Sequence, residues 1–217
     1  MTVVLEAKQL NKSFGSVVAA RDISVVVNRS ERLGLIGTNG AGKTTFVNIV
    51  TGYIKPDTGN VCLEGRDITG HTPRSITRAG VCRSFQVPQL FLTLTTAQSL
   101  AVAFGIADGR AFSPEASIDA EMERKVEDML ERFRLTGYRN RVVAELPGGV
   151  RKLIDIAIAV TRTPKVLLLD EPTSGVAVEE KFALMDIVMS ALGSDVTVLF
   201  VEHDMDIVSR YAQRVLA

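Results

Sequence analysis

Short apolar runs alternate with polar breaks over the first third of the chain. TVVLEA, VVAARDISVVV and ERLGLIG are rich in Val, Ile and Leu, which reads as three strands. SFGS marks a turn between the first two. The third run ends in glycines. AGKTTFVNIVTG follows, with Phe46, Val47, Ile49 and Val50 at helical spacing and Gly52 closing the helix. KPDTG is a turn and NVCLEG a strand.

The pattern changes in the middle. Residues 88–140 lack strong strand signals. EASIDAEMERKVEDMLERFRL is highly charged yet puts Val126, Met129, Leu130 and Phe133 on one helical face, as a helical insertion would. Alternation then returns: a helix over about 150–162, KVLLLD, a helix over 179–192, and VTVLFVE. Both apolar runs are short and continuous, as strands buried on both faces are. Strands alternating with helices predict an α/β fold with a mostly parallel sheet. AQRVLA at the end looks like a strand cut short.

Composition narrows the function classes. A chain of 217 residues, 46% of them hydrophobic, fits one domain with a sizeable core. Lys plus Arg and Asp plus Glu are 25 each, so net charge gives no pull toward nucleic acid or acidic membrane. Cys62 and Cys82 are too few for a disulfide framework or a four-ligand zinc site, and read as buried reduced thiols. The N-terminus lacks the basic start and long apolar core of a signal peptide. Gln86 to Ala107 carries no charge, about the length of a membrane span. Its Pro, Gln, Thr and Ser would be costly in hydrocarbon, so it reads as a segment with an apolar contact face.

GTNGAGKTT, from Gly37 to Thr45, fits G-x-x-x-x-G-K-[ST] and lies between a strand and a helix, the context such a loop requires. Backbone N–H groups that point at phosphate oxygens need unobstructed approach. Gly37, Gly40 and Gly42 allow it, with Thr38, Asn39, Ala41 and Thr45 completing the cradle. The following helix adds its positive end. Lys43 can reach the β and γ phosphates, and the Thr44 hydroxyl can ligate Mg²⁺.

A carboxylate must come near the same phosphates, and VLLLDE brings one: Asp170 emerges at the end of a buried strand. Alone, this run also fits, as the lesser alternative, a buried strand capped by surface acids. Beside the glycine loop, it reads as Asp170 holding Mg²⁺ and Glu171 polarising the attacking water. VTVLFVEHD repeats the design. A lone His after a strand is more often structural, but here His203 ends a second buried strand, where it can contact the γ-phosphate and hold the water.

These elements, in this order, resemble the ATP-binding subunits of ABC transporters over nearly the whole chain. The resemblance implies a P-loop NTPase cassette over 1–217, with a mostly parallel central sheet, an N-terminal antiparallel β region and a helical subdomain. Residues 1–87 and 141–217 would form the core, 88–140 the helical subdomain, with the C-terminus truncated. GTNGAGKTT resembles the Walker A motif, VLLLDE the Walker B motif with its catalytic glutamate, and His203 the switch histidine. Gln86, in SFQVPQLF, resembles the glutamine that contacts Mg²⁺ and leads toward a membrane partner. Phe14 matches the adenine-stacking aromatic, a core-facing Phe being the alternative. ATP and Mg²⁺ are implied, with membrane permease subunits, an external substrate-binding protein acting indirectly, and a second ATPase subunit placed head-to-tail. The implied location is the cytoplasmic face of the membrane.

LPGGVRKLIDIAIA matches the family's signature, usually LSGGQ, with two departures: Pro147 replaces the serine and Val150 the glutamine. Proline suits a helix's first turn, and Gly148 and Gly149 keep unblocked N–H groups there. Arg151 and Lys152 follow and are candidates to supply compensating charge. In SGVAVEE, Ala177 stands where the family usually has Asp. Within the family, KSFGSVVAARDIS, SFQVPQLFLTLT and VTVLFVEHDMDIVSRYAQRV look most like ATPases of branched-chain amino acid importers and their urea-transporting relatives. Two other readings compete: an ABC-type ATPase without a membrane partner, against which a single cassette of zero net charge argues, and a module that binds nucleotide but hydrolyses weakly.

Overall fold

The computed structural model describes residues 2–38, 40–109 and 119–217. In chain order the elements are β1 (Val3–Phe14), β2 (Val17–Asn28), β3 (Arg32–Leu35), α1 (Lys43–Val50), β4 (Thr58–Leu63), β5 (Arg66–Asp67), α2 (Pro73–Ala79), β6 (Val81–Ser84), α3 (Thr96–Ala107), α4 (Ala120–Arg132), α5 (Gly148–Val160), β7 (Val166–Asp170), α6 (Val178–Leu192), β8 (Thr197–Val201), α7 (Met205–Tyr211) and β9 (Arg214–Leu216). They fall into two compact units. One contains Met1–Arg83, Pro164–Asp170 and Ser194–Ala217; the other contains Ser84–Thr163 and Glu171–Gly193.

The first unit holds two sheets among its described residues. An antiparallel sheet runs β2-β1-β4-β5, and a second sheet runs β6-β7-β8-β3-β9. In the second, β7, β8, β3 and β9 pair in parallel. Every residue of β7 and β8 is buried, which is why their sequences are apolar runs and do not alternate. Leu5, Leu10, Leu33, Phe46, Leu168 and Leu199 meet in one core cluster. Phe46 is 1% exposed, and full burial of a side chain of that size contributes about 1.5–3 kcal/mol. The cluster fixes α1, and with it the loop that precedes α1.

The register sets the geometry of the functional edge. Leu35 of β3 and Asp170 of β7 both pair with Val201 of β8. Three parallel strands therefore end level, and the chain leaving each one starts from the same edge of the sheet.

The second unit is helical among its described residues. The face predicted for α4 is buried: Val126, Leu130 and Phe133 at 0% and Met129 at 3% exposure. The Asp119 side chain caps that helix by accepting from the Met122 N–H. Part of the charged segment predicted as helical, residues 115–118, lies outside the described residues. α3 opens with a capping box: the Thr95 hydroxyl accepts from the Gln98 N–H, and the Gln98 side chain accepts from the Thr95 N–H. The uncharged stretch thus splits in two. Val87, Phe91 and Leu92 are 69%, 53% and 51% exposed, whereas Leu100 and Ala101 on α3 are fully buried.

Some expectations need correction. β6, α2 and α7 were not anticipated. Arg83 interrupts the apolar run of β6, and the two helices have seven residues each, too short for periodicity to show. Their caps were visible in the sequence: Thr72 with Pro73 before α2, and Asp204 before α7. Cys82 is buried, but Cys62 is only partly so; both are free thiols. Among the described residues, no helix is long and apolar enough to cross a membrane.

Candidate functional site

The glycine loop leaves β3 and ends at α1. Gly37, Gly40 and Gly42 have φ of 151°, 87° and 85°. Gly42 is required twice over: its φ is left-handed, and a Cβ there would lie 2.7 Å from the Ala19 carbonyl oxygen. It is also the N-cap of α1, with no side chain capping the helix. The first N–H groups of α1 are therefore available to an anion. The Lys43 ammonium folds over the loop and donates to the carbonyls of Gly37 at 2.5 Å and Thr38 at 3.0 Å. Thr38, Ala41 and Thr44 are exposed, and Thr45 is half-buried. Asn39 lies outside the described residues.

A recess of about 280 Å³ opens beside this loop, lined by Val18, Ala19, Ala20, Gly40 and Ala41 among others. Phe14 ends β1 at 50% exposure, with the Lys12 ammonium 5.5 Å from its ring centroid. It is not a core residue, so the core-facing alternative is excluded.

Asp170 ends β7 at 7% exposure. Its Oδ2 accepts from Nη2 of Arg83 at 2.5 Å. The same guanidinium donates through Nη1 to Asn48 Oδ1 at 2.7 Å and lies 5.9 Å from the Tyr53 ring centroid. Arg83 thus ties the acid at the end of β7 to α1. Sequence reasoning missed this residue. The signal was present as a lone charge inside the apolar run VCRSF. His203 is exposed, on the turn between β8 and α7. Its backbone N–H donates to the carboxylate of buried Glu202 at 3.2 Å.

Within the first unit, then, one sheet edge carries the glycine loop, Asp170 and His203. The donor set fits a polyphosphate with a hard divalent cation: an uncapped helix N-terminus and an ammonium for the phosphates, and a hydroxyl and a buried carboxylate for the ion.

The second unit carries the remaining candidates. The Gln86 carboxamide donates to Oε2 of Glu171 at 2.5 Å. Glu171 adopts φ 45°, a left-handed conformation that a non-glycine residue rarely takes, in a tight turn where its carbonyl accepts from the Ser174 N–H. Pro147 is the N-cap of α5, and Gly148 and Gly149 open the helix. This corrects the expected place of the proline by one position: it stands before the first turn, and α5 has no side-chain cap. Ala177 likewise sits uncapped at the N-cap of α6.

Lys152 does not supply the compensating charge expected of it. It is 2% exposed, and its ammonium donates to the carbonyls of Phe85 at 2.8 Å and Gln86 at 2.9 Å. Asp155, one turn further along, was not anticipated. Oδ2 accepts from the Ser84 hydroxyl at 2.6 Å and the Phe85 N–H at 3.1 Å, and Oδ1 from the Gln89 N–H at 3.4 Å. Burial pushes the Asp155 carboxyl above its usual range, against the pull of the Ser84 hydrogen bond and the Lys152 charge.

Comparison with known proteins agrees with this inventory. A model of the family described as ABC transporter matches residues 20–174. The chain is 33% identical over 96% of its length to a probable branched-chain amino acid transport ATP-binding protein LivG of Methanocaldococcus jannaschii, covering 83% of that protein. It is 35% identical to the methionine import ATP-binding protein MetN of Brucella abortus, over 98% of this chain and 56% of that one. Among solved structures, the ADP conformation of an ATP-binding cassette of an ABC transporter superposes with a TM-score of 0.84 at 31% identity, covering 100% of this chain and 88% of that chain. The glycine loop, the acid at the end of β7 and these matches lead to one conclusion: the chain belongs to the ABC transporter family, as one of its ATP-hydrolysing, ATP-binding cassettes.

Proposed function

We propose that this cassette is the ATP-hydrolysing subunit of an importer for branched-chain amino acids. The observation that carries the ATPase part is the single sheet edge shared by the glycine loop, Asp170 and His203. The substrate rests on the likeness to LivG proteins of Methanocaldococcus jannaschii and Salmonella typhimurium, the latter 32% identical over 98% of this chain and 86% of that one. The methionine import ATP-binding protein MetN of Brucella abortus is of similar identity, 35%.

In this reading the N–H groups of residues 37–45 and the Lys43 ammonium bind the phosphates, and Phe14 stacks on the base. Thr44, Asp170 and Gln86 would hold Mg²⁺, which when bound neutralises charge on the phosphate oxygens. Glu171 takes the proton of the attacking water, and His203 holds that water and the γ-phosphate. Gly148 and Gly149 offer N–H groups to the nucleotide of a second, head-to-tail subunit. Exposed Val87, Phe91 and Leu92 form an apolar surface for a membrane permease, which would hold the cassette at the cytoplasmic face. An external binding protein would act through that permease.

A second reading, weak hydrolysis, is favoured by Pro147 and Ala177, neither of which can offer the polar group usual at its position. An importer of urea or a related amide is the alternative for cargo. The decisive experiment is ATP turnover and leucine uptake by the complex reconstituted in vesicles, beside Glu171→Gln. ATP-dependent uptake that Glu171→Gln abolishes supports the reading. Equal turnover by the two proteins refutes the role of Glu171, and turnover without leucine uptake refutes the cargo.

A further inference from the structure

We propose that Lys152 and Asp155 are positioning residues. Together they brace the backbone on both sides of Gln86 against helix α5, so that the Gln86 carboxamide meets the Glu171 carboxylate. This rests on the roles proposed for Gln86 and Glu171.

Lys152 and Asp155 are three residues apart on α5, hence on one face, and are 2% and 6% exposed. A buried ammonium and a buried carboxylate persist only when hydrogen-bonded and balanced. The Lys152 ammonium donates to the carbonyls of Phe85 and Gln86, while the Asp155 carboxylate accepts from the Ser84 hydroxyl and from the N–H groups of Phe85 and Gln89. Five hydrogen bonds thus converge on residues 84–89, a segment with no strand or helix of its own after Ser84. Such a segment would otherwise be free to take many conformations. Gln86 sits in the middle with its side chain exposed, donating to Glu171 at 2.5 Å.

The placement has a second consequence. α5 begins at Gly148, one turn before Lys152. The helix that opens with Gly148 and Gly149 therefore carries the groups that hold Gln86, and a shift of either end is transmitted to the other through one rigid element. The charges at 152 and 155 act inward on a neighbouring loop, not outward on a nucleotide.

A plain structural role predicts something different. Cutting either a plain staple or a brace would lower stability, but the activity lost with a staple would add to that of Gln86, whereas the activity lost with a brace acting through Gln86 would not. The experiment uses the purified full chain with Lys152→Met, Gln86→Ala and the double variant. Lys152→Met is expected to lower kcat about ten- to hundredfold, the order expected for a misplacement of about 1 Å. Metal-free binding of a fluorescent ADP, carried by the glycine loop, should stay at the wild-type value. In the Gln86→Ala background, Lys152→Met should cost little more. Amide exchange at Phe85, Gln86, Val87 and Gln89 should accelerate in Lys152→Met.

Losses that multiply across the double variant overturn the proposal, as does unchanged amide protection at Phe85, Gln86, Val87 and Gln89. If Lys152→Met does not fold, Ser84→Ala decides instead: it removes one bond to Asp155 and is expected to give a smaller loss of the same non-additive kind. Should the wild type bind ADP but hydrolyse no ATP, the proposed function fails, and amide exchange still decides the brace.

Discussion

Arg83 and Asp170 face each other across neighbouring strands, with Nη2 of the guanidinium 2.5 Å from Oδ2 of the carboxylate and both side chains 9% exposed. One carboxylate oxygen is therefore committed to the protein. Arg83 supplies a positive charge against a buried acid, and its second arm on Asn48 ties that acid to α1. Removing the cation strands the anion, which costs about 3–5 kcal/mol for a buried pair. Arg83→Met is expected to lower urea stability by that order, and Asp170→Asn in the same chain should recover part of it. A double variant no more stable than Arg83→Met would show that the pairing does not govern stability.

Pro147→Ser separates chemistry from folding. A serine N-cap adds about 1 kcal/mol to α5, and losing proline gives back about 0.4–1 kcal/mol by loosening the unfolded chain. The two nearly cancel, so the melting temperature should hardly move. A regained hydrogen bond to a charged phosphate, about 1.5–3 kcal/mol, should raise turnover roughly ten- to hundredfold. Turnover that stays level or falls, measured beside thermal melts, would mean that the hydroxyl is not what limits the rate.

Ala177→Asp should do the opposite and move stability. Ala177 has φ −58° and ψ 143°, a geometry from which a carboxylate can accept from the first-turn N–H groups of α6, which have no side-chain cap. The cap is worth about 1 kcal/mol, less a few tenths for repulsion from Glu179 and Glu180 in the same turn. In a chain of this size the net gain corresponds to about 2–3 °C in melting temperature. Calorimetry showing no rise would place the α6 terminus in another bonding state.

Glu31 gives a pH signature. Burial pulls its carboxyl upward, but the Arg214 guanidinium and the Asn28 N–H outweigh that and hold it below the ordinary glutamate range. A lowered folded value means stability that is fully present above the unfolded value and lost as pH falls through the folded one. Glu31→Gln should therefore be less stable than wild type at neutral pH. The gap should close as the solution is acidified below about pH 4.3. Urea titrations at a series of pH values would read it, and a gap independent of pH would rule the pair out as its source.

The phosphate-type loop and the strand ends were legible because they reside in local motifs. The spacing within GTNGAGKTT fixed the loop, and the apolar runs ending at Asp170 and His203 fixed two strand ends. What stayed hidden depends on partners distant in sequence. Arg83 looked like a flaw in an apolar run until β7 brought Asp170 beside it. Lys152 looked like a surface charge next to the PGG loop, because a helical wheel cannot say that residues 84–89 pass under that face. Pro147 was misplaced by one position because cap and first turn differ only in ψ.

The left-handed backbone at Glu171 has an evolutionary consequence. At φ 45° a side chain costs about 1–2 kcal/mol relative to glycine, and asparagine tolerates the region better than glutamate. The main chain at this position favours glycine or asparagine over the acid. If Glu171 activates the attacking water as proposed, a library of this chain selected only for thermostability should accumulate Gly or Asn at position 171 and lose turnover as it hardens.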